Sequence, residues 1–194
     1  MDTRKTDPIL LDFPDRFESE RLWIRAPLWG DGTALNEAVK ESLDALRPWM
    51  PWALAVPTIE QSEAGIRRSR LQFLERTDLR LLLVHKETGQ LVGSSGLHRM
   101  DWQARKFEIG YWVRTSYEKQ GYVTEAVHAI TAFAIQELQA NRIEIRCDSR
   151  NSRSAKVAER AGFTLEGILR NDKRDVDGSL RNTMIFSKVR GVEY

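Results

Sequence analysis

The residues best able to do chemistry lie in the second half of the chain, beginning with Glu118-Lys119-Gln120-Gly121-Tyr122-Val123-Thr124. A glycine-bearing loop that enters a helix presents free N–H groups and the positive end of the helix dipole, which suits a pyrophosphate. One glycine is a weak signal by itself, because an ordinary strand-to-helix turn has the same composition. Just upstream, alternation along a strand from Phe107 to Arg114 puts Phe107, Ile109, Tyr111 and Val113 on one face. Glu108, Gly110 and Trp112 fall on the other, so that face carries an acid, a gap and an aromatic. The single cysteine, Cys147, alternates with Ile143 and Ile145 on an apolar face, and core packing outweighs a role as nucleophile. His85 and His98 sit in strand-like runs and are read as satisfied strand residues rather than catalysts. No His, Cys or carboxylate spacing suggests a metal site.

Those residues need elements to position them. The pattern predicts a strand at Arg21–Arg25 and a helix from about Asp31, where Asp31 and Thr33 offer capping oxygens. Arg47-Pro48-Trp49-Met50-Pro51-Trp52 cannot be regular helix, since each proline lacks an N–H and restricts its predecessor; it reads as a rigid aromatic loop. Thr58 opens a second helix to about Arg76, with Ile59, Ala64, Ile66 and Leu71 among its apolar positions. Arg80–His85 and a strand from Leu91 form a hairpin around Glu87–Gln90. After the glycine loop, Val127, Ile130, Ala134 and Leu138 make a helical stripe with Thr124 as its expected cap. Arg142–Cys147 alternates as a strand, and the intervening helix permits a parallel pair with Phe107–Arg114. Asn151 or Ser152 caps a short helix through Ala161, and strands at Phe163–Arg170 and Thr183–Val189 flank a turn at Asp177-Gly178. Residues 1–18 read as an N-terminal arm and 19–194 as one α/β domain, a mixed, mostly antiparallel sheet flanked by helices.

Bulk composition narrows the function. Thirty basic against 28 acidic residues leave a net charge of +2, too little to imply direct nucleic-acid binding, and the basic run Arg67-Arg68-Ser69-Arg70 reads as a solvated helix face. A lone cysteine excludes an intrachain disulfide, and no apolar run or leader pattern suggests a membrane, so a cytoplasmic protein is expected.

A second segment, Asn151-Ser152-Arg153-Ser154-Ala155-Lys156-Val157-Ala158-Glu159-Arg160-Ala161-Gly162-Phe163, joins the first. As a pair they resemble the two acetyl-CoA motifs of the GNAT superfamily of N-acetyltransferases, in the right order. Ser19-Glu20-Arg21-Leu22, Arg47–Trp52, Glu108-Ile109-Gly110-Tyr111-Trp112, Cys147-Asp148 and Leu165-Glu166-Gly167 extend the resemblance to its RimJ/RimL-like branch, over residues 19 to about 189. The resemblance implies the GNAT fold, with its central parallel strand pair splayed for acetyl-CoA as co-substrate. Backbone groups of Trp112, Val113 and Arg114 would pair with the pantetheine. Lys119, Gln120, Gly121, Tyr122, Val123 and Thr124 would hold the pyrophosphate. Asn151 would bond the cofactor arm, with Arg160 nearer its phosphates, and Trp49 and Trp52 would wall the acceptor. The acceptor itself would be a primary amine, such as the N-terminus of a ribosomal or other protein, or a small amine. A homodimer is compatible with this class.

Direct transfer needs a neutral amine, an oxyanion stabiliser and a proton for the departing thiolate, but no covalent enzyme intermediate. Glu108 is the expected base, directly or through water; Ser154, which matches the serine of the RimL branch, is the expected donor to the thiolate. Three departures from the family stand out. Glu118 stands where the loop usually has Gln or Arg, Val123 where it has Gly or Ala, and Lys173 where the RimL branch has a later acid. An anionic Glu118 should point away from phosphate. The rival reading is a non-catalytic acyl-CoA-binding or interaction module on the same fold. A methyltransferase is disfavoured, because its glycine loop would follow the first strand and here it follows about four.

Overall fold

The computed structural model describes residues 7–175 and 178–194. In chain order the elements are β1 (Arg16–Glu18), β2 (Leu22–Arg25), α1 (Gly32–Leu46), α2 (Ile59–Glu75), β3 (Leu79–His85), β4 (Leu91–Asp101) and β5 (Lys106–Val113). They continue with α3 (Tyr122–Gln136), β6 (Arg142–Asp148), α4 (Ser152–Arg160), β7 (Thr164–Arg174) and β8 (Leu180–Val189). One eight-stranded sheet runs in the order β1-β2-β3-β4-β5-β6-β8-β7. Every pairing is antiparallel except β5 with β6.

That parallel pair is short. It runs from Lys106↔Arg142 to Glu108↔Glu144 and stops. Beyond it, β5 stays on β4 as far as Gly93↔Val113, while β6 stays on β8 as far as Asp148↔Thr183. Each strand is anchored on its outer side, so the two diverge and a gap opens from Gly110 onward.

Alternation along the strands then feeds two cores. Phe107, Ile109, Ile143, Ile145 and Cys147 pack on the α3–α4 face with Val127, Ile130, Ala134 and Leu138, the stripe expected from the sequence. Trp112, Leu82 and Leu91 pack on the other face with Leu35 and Val39 of α1 and Ile66 of α2.

Local expectations hold where local chemistry decides. Thr58 caps α2 in a full capping box with Gln61, and Asn151 caps α4 by accepting from the Ser154 N–H. Asp31 is the N-cap residue of α1, but its carboxylate is spent on Arg25 at 2.7 Å rather than on the helix. Four expectations change. Helix α3 starts at Tyr122 because Gly121, at φ 84°, takes the N-cap, leaving Thr124 inside the first turn. On α2 the buried positions are Ser62, Ile66, Ser69 and Phe73, while Ile59 and Leu71 are 51% and 54% exposed. Half of that buried stripe is serine, and both Ser62 and Ser69 line a cleft. Residues 16–18 of the arm add an edge strand, and Phe17 stacks on Phe133 at 4.5 Å, so the glycine loop follows the fifth strand rather than the fourth. The last hairpin is longer at both strands than its sequence pattern suggests; of its expected turn, Asp177 lies outside the described residues and Gly178 has φ 86°.

The N-terminal strands are fastened to α3 through Glu125. Its carboxylate accepts from Ser19 Oγ (2.6 Å), the Arg21 N–H (2.7 Å) and Arg21 Nε (2.7 Å). Burial alone would raise this carboxyl, but those hydrogen bonds outweigh it and hold the group below its ordinary 4.5. A depressed carboxyl contributes stability above its ordinary pKa and loses it as pH falls through the lower, folded value. Glu125→Gln should therefore melt earlier than the wild type at pH 7, by about 1–3 kcal/mol. The difference should shrink as pH falls below 4.5 in thermal melts followed by circular dichroism.

Candidate active site

The mouth of α3 is built from backbone. Lys119 (φ 61°) and Gly121 (φ 84°) both adopt left-handed conformations, and no side chain caps the helix. The N–H groups of its first turn are thus free to meet an anion. Arg21 frames the mouth: it donates to Gln120 O (3.1 Å) and its guanidinium lies 4.1 Å over the Tyr122 ring. Glu118, the departure expected to repel phosphate, is drawn aside by Arg153 at 3.0 Å. Arg153 stands in the first turn of α4 and so brings a second helix start to the same loop. Arg160 closes α4 at the far end, about 13 Å from Asn151 at about 1.5 Å per residue, and is exposed. Arg153, rather than Arg160, is the α4 arginine beside the loop.

Between the mouths of α3 and α4 lies the gap between β5 and β6. Its side chains on the α4 face are Tyr111 and Ser154. The Tyr111 hydroxyl donates to Ser154 O (2.9 Å) and lies 3.0 Å from Ser154 Oγ. Burial pushes the Tyr111 phenol above its ordinary 10.0, so it stays protonated at any physiological pH. Sequence reasoning singled out Ser154 and gave Tyr111 no role beyond its place on one strand face with Phe107, Ile109 and Val113; the one available signal is a phenol on a face that is otherwise aliphatic and phenylalanine. Asn151 spends its amide oxygen on the Ser154 N–H (3.1 Å).

On the opposite face a cleft of about 590 Å³ runs between α1–α2 and strands β3–β5. Trp52 and Trp112 line it with ring centroids 6.1 Å apart. Trp49 turns instead into a neighbouring hollow of about 300 Å³ with Arg47, Arg174 and Arg181, so the aromatic loop serves two surfaces. Glu108 shares the strand face of Trp112, as expected, but is not among the residues that line the cleft. Its Oε2 accepts from Arg99 (3.1 Å) and lies 3.7 Å from Arg146 Nε. Burial, reinforced by the charge of Arg99, lowers the Lys173 ammonium from 10.5, and Glu108 is its main counter-charge. The same cleft is lined by His98, read from sequence as a structural strand residue. Its Nδ1 is 2.7 Å from Asp78 Oδ2, and both side chains are about one-third exposed to the cleft. Among the described residues no group of three or more His, Cys, Asp or Glu could hold a metal ion, and no helix is long and apolar enough to cross a membrane.

A family model described as an acetyltransferase (GNAT) domain matches residues 21–164. The candidate ribosomal N-acetyltransferase YdaF of Bacillus subtilis is 30% identical over 89% of this chain and 93% of its own length. The ribosomal-protein-serine acetyltransferase of Escherichia coli is 30% identical over 64% of this chain and 70% of its own. Among solved structures, the microcin C7 self-immunity acetyltransferase MccE, in complex with acetyl-CoA and AMP, superposes with a TM-score of 0.83 at 24% identity, covering 91% of this chain and 97% of that one. The chain belongs to the GNAT family and is an acetyltransferase.

Cys147 is buried beside this site, and burial pushes its thiol up from 9.0. The native protein should react with an uncharged thiol reagent at pH 7 at least roughly tenfold slower than the unfolded chain, as followed by intact mass.

Proposed function

We propose that this protein transfers an acetyl group from acetyl-CoA to a primary amine, directly and within a ternary complex, in the cytoplasm. The observation that carries the reading is the divergence of β5 from β6 after Glu108, between an uncapped helix mouth on one side and an open aromatic cleft on the other. A long cofactor arm can enter the gap from the α3 side while an amine approaches from the cleft. The residues fit acetyl-CoA on two counts: free first-turn N–H groups for the pyrophosphate, and, among the described residues, no strand partner for the inner edge of β5 at Trp112, Val113 and Arg114. The relatives' names support an acceptor at the N-terminus of a ribosomal protein, and a cleft of this volume also admits a small amine.

In the transfer, the amine lone pair attacks the thioester carbon and the C–S bond breaks. Ser154 Oγ would give its proton to the departing thiolate, with the Tyr111 hydroxyl, which donates to Ser154 O and lies 3.0 Å from Oγ, holding the serine in place. Glu108 remains a candidate base through water, although Arg99 and Arg146 already share its carboxylate; that pairing suits it to balance the positive rim formed with Lys173.

A thiol-release screen of amine acceptors, with intact-mass detection of the acetylated product, tests the activity. Initial-rate plots should intersect; parallel lines, or an acetylated enzyme on the way to product, would exclude direct transfer. Acetyl-CoA binding with no thiol released across a broad amine panel would mark a non-catalytic module. Gly121→Asp should weaken acetyl-CoA binding by roughly tenfold or more in calorimetry, since it puts a side chain on a left-handed backbone and a negative charge at the helix mouth. Ser154→Ala should lower kcat more than it changes acetyl-CoA affinity.

A further inference from the structure

The cleft is lined by an imidazole, His98, to which neither the sequence motifs nor the family resemblance gives a role. We propose that His98 is the group that takes the proton from the attacking amine, held in the right tautomer by Asp78; the inference rests on the transferase reading above.

Three features of the site support it. The first is the bed on which the ring lies. Gly96 of β4 and Gly110 of β5 are direct cross-strand partners, Gly96 standing two residues before His98 and Gly110 two residues after Glu108, the cross-strand partner of His98. A Cβ on Gly110 would come within 3.1 Å of His98 Cδ2 and 3.4 Å of Nε2, and one on Gly96 within 3.0 Å of Cε1. The imidazole therefore leans back over two residues that have no side chain. Its Nε2 edge reaches Gly110, where β5 leaves β6 and the gap opens into the cleft.

The second is the tautomer. With Nδ1 2.7 Å from a carboxylate oxygen, the ring proton belongs on Nδ1, where it is donated to Asp78, and Nε2 carries the free lone pair. Asp78 also stabilises the imidazolium that forms on protonation. The third is the availability of the alternatives. Around the ring the charged groups are Asp78, Arg80 and Glu108. Arg80 Nε is spent on Ser94 Oγ at 3.2 Å, and Glu108 is shared by Arg99 and Arg146. His98 is the one whose lone pair faces the cleft.

The step balances without a co-reactant. The amine nitrogen bonds to the thioester carbonyl carbon, its surplus proton passes to His98 Nε2, and the C–S electron pair leaves on sulfur, which takes the Ser154 proton. The imidazolium gives its proton to water through the open cleft and Ser154 regains one from water, so the net change is one amine proton moved to sulfur.

The test uses the full chain with an acceptor found in the thiol-release screen. His98→Gln should lose roughly 10²-fold in kcat/KM for the amine at neutral pH, recover partly at high pH as the amine itself deprotonates, and keep its acetyl-CoA affinity in calorimetry. Asp78→Asn should lower kcat while leaving the KM for acetyl-CoA unchanged, and nitrogen NMR should show the His98 ring proton on Nδ1 in the wild type and redistributed in this variant. Should His98→Gln fold poorly, His98→Ala with added imidazole gives the second arm, where partial rescue of the rate is expected. A folded His98→Gln that retains the wild-type rate across pH, or a ring proton found on Nε2 in the wild type, overturns the inference while leaving the transferase reading intact. A wild type that releases no thiol with any amine removes both.

Discussion

Two parallel strands that share only a short ladder set the geometry of everything else. β5 and β6 begin as partners because an α3 crossover joins them in parallel, but each has a longer and stronger attachment on its outer side. The right-handed twist of a sheet separates strands that are not laced together, so the divergence needs no special residue beyond the end of the ladder. The result is a slot through the sheet with main-chain groups on its inner edge. The mouth of α3, the start of α4 and the α1–α2 cleft all converge on that slot because they are connections from the ends of these same strands.

The handling of charge follows from this layout. The N–H groups that start α3 carry no side-chain cap, so an anionic ligand there would be met by backbone at little desolvation cost rather than by a cluster of lysines. Carboxylates near the mouth are neutralised by arginines from distant parts of the chain: Glu118 by Arg153 and Glu125 by Arg21. On the cleft side Glu108 sits among Arg99, Arg146 and Lys173, so the rim carries a managed excess of positive charge. Local sign, not net charge, decides where a phosphate or an amine can settle.

Polar groups inside the cleft are matched to its openness. Ser62 and Ser69 replace apolar residues on the buried stripe of α2 because that stripe faces a solvated cavity as well as the sheet. Packing is given up there, and the apolar residues left over on α2, Ile59 and Leu71, are exposed. Stability is recovered in the core on the α3–α4 face, where α3 lies directly on the sheet with Ile130 and Ala134 fully buried.

The sequence by itself determined what short-range periodicity and capping can carry. The α3 stripe, the two faces of β5, the Thr58–Gln61 capping box, the Asn151 cap and the parallel crossover are all set by residues within a few turns or one βαβ unit of each other. The paired motifs also located the loop and Ser154. Tertiary structure decided the partnerships. Tyr111 meets Ser154 across 43 positions, Glu118 meets Arg153 across 35, and His98 meets Asp78 across 20. Each depends on strand register and sheet twist, which place side chains to within an ångström, whereas spacing along the chain fixes only the face on which they stand. For the same reason Trp49 and Trp52, three residues apart on one loop, look into different hollows, and a histidine that reads as an ordinary strand residue lies against the point where the sheet opens.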